Sequence, residues 1–147
     1  MKPWLPIAAL ALALGPLTVV HPVRISGHSM EPTLRPGDLR FALRSWATPA
    51  PKRGEIWVVE SPEGASVKRV IGLPRETLDQ VRGDIRLAGR FLEEPYVAQS
   101  EREDGGPWIC GEGYLVLGDN RPASRDGRTW GPLPRAAFRG RILGLGR

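Results

Sequence analysis

The chain has 147 residues, 41% of them hydrophobic and 25% charged, which is enough for one packed domain with an appendage and excludes a disordered chain. Its net charge of +5 comes from arginines scattered among 16 acids, so the surface reads as mixed and solvated, with an anionic lipid face as the second reading and nucleic acid set aside as a partner. Cys110 is the single cysteine and His21 and His28 are the only histidines, which excludes an intrachain disulfide and a cysteine cluster and leaves no convincing metal site.

Residues 4–20 carry no charge. As a helix at about 1.5 Å per residue they reach roughly 25 Å, near the lower limit for a bilayer core. Lys2 precedes the run and His21-Pro22 closes it. A cleaved secretory signal has a shorter apolar core and a small-x-small exit, and residues 14–23 offer no clean version of that exit. The expectation is a retained single-span anchor over residues 1–22, followed by one β domain over 23–147.

After the anchor comes Ser26-Gly27-His28-Ser29-Met30-Glu31-Pro32-Thr33-Leu34. Ser29 is expected in a short extended segment, with Pro32 forcing a turn. Leu39, Phe41 and Leu43 then alternate with Arg40, Ala42 and Arg44, the period of a half-buried strand with one basic face. Residues 45–53 read as a Pro-containing loop, 56–60 as a second strand and 66–71 as a third. Ala88-Gly89 joins residues 84–87 to 90–92 as a hairpin within a smaller β subregion at about 75–113. Residues 101–107 read as a polar, Gly-rich loop. Residues 114–117 form a strand ending at Gly118-Asp119-Asn120, and 138–145 a last one. With 18 glycines and 15 prolines between these runs, the fold class is mainly β.

A serine hydroxyl is a weak nucleophile until a base takes its proton. His28 adjoins Ser29, but neighbours in an extended segment point to opposite faces. Of the three lysines, Lys2 belongs to the anchor and Lys52 to a solvated loop. Lys68 lies inside Ser66-Val67-Lys68-Arg69-Val70-Ile71. Burial there would lower its pKa and leave neutral amine to act as base. A lysine snorkelling at a sheet edge is the equal alternative on spacing alone.

These residues resemble a known family. Ser29-Met30-x-Pro32-Thr33-Leu34, with Gly27 two before the serine, resembles the nucleophile box of type I signal peptidases. Lys68-Arg69-Val70-Ile71-Gly72-Leu73-Pro74 is similar to their lysine box. Gly118-Asp119-Asn120-Arg121 with Ser124-x-Asp126-x-Arg128-x-Trp130-Gly131 is similar to their last box. Glu94-Pro95-Tyr96 and Gly140-Arg141 also fall in familiar places. The likeness runs from about Val23 to Arg141 in the family's order.

The resemblance implies a complex antiparallel β fold of the signal-peptidase and LexA-like type, with a single N-terminal transmembrane helix. It implies a serine endopeptidase that cuts signal peptides from exported preproteins after small residues at −1 and −3, with no cofactor and no metal. It places the protein as single-pass in the cell membrane, with the catalytic domain on the outer face and the lipid bilayer and preprotein signal peptides as partners. By the same likeness Ser29 is nucleophile and Lys68 general base. Ser124 orients the amine, Asp126 and Arg128 hold the last box, and Gly118 allows close approach to the lysine. Ser29 and Gly27 mark the oxyanion hole; Gly27 stands where some relatives carry a serine that adds a second donor. Met30, Leu34 and Val67 line the pocket. Departures are Pro122-Ala123, Gly127, Arg75-Glu76 and Ser66, the last in place of a common tyrosine. Rival readings are a specialised relative serving one secretion or conjugation system, an inactive peptide-binding module of the same fold, and an autocleaving Ser-Lys repressor. The last is disfavoured, because Ala88-Gly89 follows the serine in the chain.

Overall fold

The computed structural model describes residues 19–100 and 102–144. The expected anchor helix lies almost wholly outside them, and its last residues, Val20 to Pro22, run in a strand. Among the described residues no helix is long and apolar enough to cross a membrane.

Among the described residues ten strands form two antiparallel sheets. The six-stranded sheet holds β1 (Val20–Arg24), β2 (Leu39–Arg44), β10 (Phe138–Ile142), β3 (Ile56–Ser61), β4 (Gly64–Gly72) and β9 (Leu115–Leu117), in that spatial order. The four-stranded sheet is ordered β7 (Arg90–Phe91), β6 (Asp84–Leu87), β5 (Thr77–Val81) and β8 (Gly105–Ile109). Among the described residues a short α-helix, α1 (Gly127–Trp130), packs against β9.

Three apolar clusters hold these parts together. Trp57, Val59, Val70, Tyr114, Val116 and Phe138 fill one side of the large sheet, with Trp57 and Tyr114 each edge-on to Phe138. Ile25, Met30, Leu34, Ala42, Ile56 and Ile142 fill the other, under the turn that follows Ser29. Ile71, Leu115 and Leu117 meet Leu78, Ile85 and Cys110 where the two sheets join.

The structure departs from the sequence expectations in four places. Ser29 opens a turn covering residues 29–33, where the Leu34 N–H donates to the Met30 carbonyl at 2.9 Å, so it does not stand in an extended segment. Strand β2 forms, but its apolar side faces out: Leu39 is 60% and Phe41 54% exposed, while Ala42 is fully buried. Alternation sets the period of a strand and not which face is covered; the inner face here meets the packed Met30–Leu34 cluster, where Ala42 fits. Strand β8 begins inside the expected 101–107 loop. Its Pro107 is tolerated because β8 is an edge strand. Strand β5 was hidden by Gln80, a polar residue at a buried position.

The large sheet leaves two edges open where they matter. Strand β1 pairs only with β2. Strand β4 pairs with β9 only from Arg69 onward, so Gly64 to Lys68 have no partner on that side.

Candidate active site

Lys68 comes from the unpaired half of β4 and is 3% exposed. Its Nζ lies 2.8 Å from the Ser29 Oγ and 3.2 Å from the Ser124 Oγ. Ser29 reaches it from the turn after β1, and Ser124 from the loop after β9. Three distant parts of the chain therefore meet at one amine. His28 points elsewhere; its exposed ring Nδ1 pairs with Glu31 Oε2 at 3.2 Å.

The hydrogen bonds around Ser124 fix the direction of the amine. Ser124 donates its one hydroxyl proton to Asp126 Oδ2 at 2.7 Å. Toward Lys68 its oxygen can then only accept, which takes up an N–H of the amine. A neutral amine held that way has its lone pair left for Ser29. Asp126 is fully buried and saturated: Oδ2 also accepts the Gly118 N–H at 3.0 Å, and Oδ1 accepts Arg128 Nε at 2.9 Å. Arg128 further donates to the carbonyls of Arg121 and Ser124. Burial pushes the Lys68 pKa below its ordinary value, and the Arg128 cation adds to this. The Asp126 carboxylate, with Glu63 and Asp119, pulls the other way.

Gly118 stands against Ser124 and the carbonyl of Ser29, the two residues whose hydroxyls contact the lysine amine. A Cβ there would fall on the Ser124 Oγ and lie 2.5 Å from the Ser29 carbonyl oxygen. Gly127 is equally confined: a Cβ would lie 2.8 Å from both Leu115 Cδ1 and the Val116 carbonyl. Glycine at 127 thus seats α1 tightly on β9.

A cleft of about 390 Å³ runs between the open edges, walled by Val23 to Gly27 on one side and Ala65 to Val67 on the other, with Ser29, Met30 and Val58 in its floor. Of the expected pocket residues, Met30 and Val67 line it. Leu34 does not; it is fully buried behind them, in the cluster that includes Met30. Gly27 lines the cleft with open space where a side chain would be. The Ser29 N–H donates to no backbone carbonyl among the described residues.

Sequence reasoning gave no role to a second group of residues. Arg69, beside the lysine, forms a buried two-pronged ion pair with Asp119 at 2.8 and 2.6 Å. Thr33, four residues after Ser29, donates to the same carboxylate at 2.6 Å. The Arg69 guanidinium lies 3.9 Å from the centre of the Tyr96 ring. Tyr96 donates to Glu94, which pairs with buried Arg121 at 2.6 and 3.1 Å. The loop after β7 thus grips the segments that carry Ser29, Lys68 and Ser124. The one local sign of this network in the sequence is Arg69, a charged residue inside the apolar run of β4.

Comparison with known proteins identifies the family. A sequence model of the family described as signal peptidase, peptidase S26, matches residues 1–144. The chain belongs to the signal peptidase family. This peptidase is 37% identical over 148 residues to a probable signal peptidase I-2 of Synechocystis sp., covering 93% of this chain and 68% of that protein. It is 32% identical over 143 residues to a signal peptidase I of Bacillus licheniformis, covering 86% and 77%. The crystal structure of a signal peptidase I from Enterococcus faecalis matches with a TM-score of 0.57 at 31% identity, over 65% of this chain and 98% of that one. The mainly antiparallel β fold is therefore that of signal peptidase I, and the chain is a serine peptidase, a hydrolase.

Proposed function

We propose that this peptidase removes N-terminal signal peptides from exported preproteins by a Ser29–Lys68 dyad. The observation that carries this reading is the buried Lys68 amine 2.8 Å from the Ser29 hydroxyl. Neutral Lys68 takes the Ser29 proton, and Ser29 Oγ attacks the scissile carbonyl. The Ser29 N–H stabilises the oxyanion, and Gly27 contributes no side-chain donor to it. Lys68 returns the proton to the leaving nitrogen, then activates the water that frees the acyl-enzyme.

The substrate enters as an added strand between β1 and the open half of β4, where unpaired backbone groups await partners. Met30 and Val67 limit the cleft to small side chains, which supports a preference for small residues at −1 and −3. Ser124, Asp126 and Arg128 orient the amine, and Gly118 keeps room for them.

The same reading puts the catalytic domain at the outer surface of the cell membrane, anchored through residues 1–22. Exposed Leu39, Phe41 and Trp46 support it, since apolar side chains open on a domain surface suit a bilayer interface.

The test is cleavage of a preprotein, read as a size shift. Ser29→Ala and Lys68→Met should each lower cleavage by at least about 1,000-fold while the protein stays folded. Near-normal cleavage by Lys68→Met would end the dyad reading.

A further inference from the structure

A second cavity, of about 340 Å³, lies between the small sheet and the catalytic loop. It shares no lining residue with the cleft above. The two are linked through one amine that lines neither of them. Ser29 lines the first cavity, Ser124 lines the second, and both hydroxyls contact the Lys68 amine. A polypeptide bound across Ser29 needs room on both sides of the scissile bond. The first cleft accounts for the acyl side only.

Two features show what the second cavity is built to hold. Gln80 lines it and is 5% exposed. It sits on the inward face of β5, two residues from fully buried Leu78, where the strand's pattern calls for an apolar side chain. Its side-chain amide makes no hydrogen bond to another described residue and is not among the fully enclosed unpartnered polar atoms, so water in the cavity reaches it. A polar occupant of the cavity can take the place of that water at the amide. The extended backbone of a substrate supplies both the donors and the acceptors it lacks.

The second feature is charge. Arg121 and Arg128 line the cavity, but Glu94 and Asp126 neutralise them. Glu103 and Asp104 line it too, are exposed, and form no ion pair among the described residues. The balance at the mouth is negative.

We infer that this cavity holds the first residues of the polypeptide after the scissile bond, and that Glu103 and Asp104 favour cationic side chains there. The inference rests on the Ser29–Lys68 reading and extends it to the leaving side. In the acylation step the Ser29 Oγ–carbonyl bond forms and the C–N bond breaks. Lys68 hands the nitrogen the proton it took from Ser29. The new amine is therefore released beside Ser124, at this cavity.

The experiment uses the full chain and three peptide substrates, identical up to the cut, with Lys, Ser or Glu at the second and third positions after it. The wild type should show a KM about three- to tenfold lower for the Lys peptide than for the Glu peptide, the scale of one or two exposed charge pairs. That ratio should shrink with added salt. In Glu103→Gln/Asp104→Asn it should fall to about one, with kcat on the Ser peptide unchanged. Gln80→Leu should raise KM for all three peptides and leave kcat in place. Equal KM values for the Lys and Glu peptides in the wild type, or a ratio unaffected by the double substitution, would overturn the inference. Failure of the wild type to cut any of the three would instead sink the dyad reading beneath it.

Discussion

Ser124 carries one hydroxyl proton and points it at the Asp126 carboxylate, 2.7 Å away. Everything about the lysine's orientation follows from that choice, because an oxygen with its proton engaged can only accept from the amine. Gly118 is the residue most exposed to test here. A methyl group at that position meets a backbone carbonyl, which has nowhere to move, as well as the Ser124 hydroxyl. Gly118→Ala should therefore cost about 1–3 kcal/mol of stability through overpacking. Its effect on catalysis should be larger in proportion: displacing Ser124 by a fraction of its contact distance should slow cleavage roughly 100-fold. Urea unfolding and preprotein cleavage on the same sample separate the two effects. Full activity in Gly118→Ala would mean that Ser124 does not hold the amine.

Between elements, the loop after β7 does more than close the small sheet. Glu94 and Tyr96 join Arg121, three residues before Ser124, to Arg69, the residue after Lys68. Arg69 in turn meets Asp119 and Thr33, close in sequence to Ser29. Removing one member of a buried ion pair leaves the other uncompensated, at a cost of about 3–5 kcal/mol. Glu94→Gln should lose stability on that scale, because Arg121 has 1% side-chain exposure. Tyr96→Phe keeps the ring over Arg69 and should lose only about 1 kcal/mol, the net worth of one hydrogen bond. Denaturant titration of the two variants checks the ranking; equal costs would contradict it. This network also marks a limit of sequence reading. The motif Glu94-Pro95-Tyr96 was visible as a motif, but the residues it grips lie 25 or more positions away, and no local pattern encodes that pairing. Strands β3, β4, β6 and β7 were legible because alternation and turn residues are local. Strand β1 was hidden by His21-Pro22, β5 by Gln80, and β8 by Gly105-Gly106-Pro107, each a local sign against a strand that edge placement or a cavity overrides.

For the whole molecule, the reversed face of β2 has a consequence for how the domain sits. Leu39, Phe41 and, directly after the strand, Trp46 present apolar surface to the outside. Strand β1, which leads in from the apolar N-terminus, pairs with β2 along its length. Exposed Arg24 stands beside them, suited to anionic headgroups. A spin label at Trp46→Cys in the full chain reconstituted in anionic vesicles, with buried Cys110 replaced by Ala, should collide with oxygen more than with a water-soluble nickel complex. A label at Ile109, an equally exposed apolar site on the small sheet, should show the opposite. The same behaviour at both sites would remove the lipid-facing role of β2.

The account turns on the charge state of one amine. The chain has only three lysines, so selective carbon-13 labelling at lysine Cε gives a spectrum simple enough to titrate, and Lys68→Met assigns the signal. Burial lowers the Lys68 pKa, so its deprotonation should fall below the roughly 10.4 of a free lysine. Cleavage should decline in step as pH drops through that value and the amine takes up a proton. A Lys68 signal that titrates near the roughly 10.4 of a free lysine, while cleavage proceeds at neutral pH, would show that this lysine is not the base.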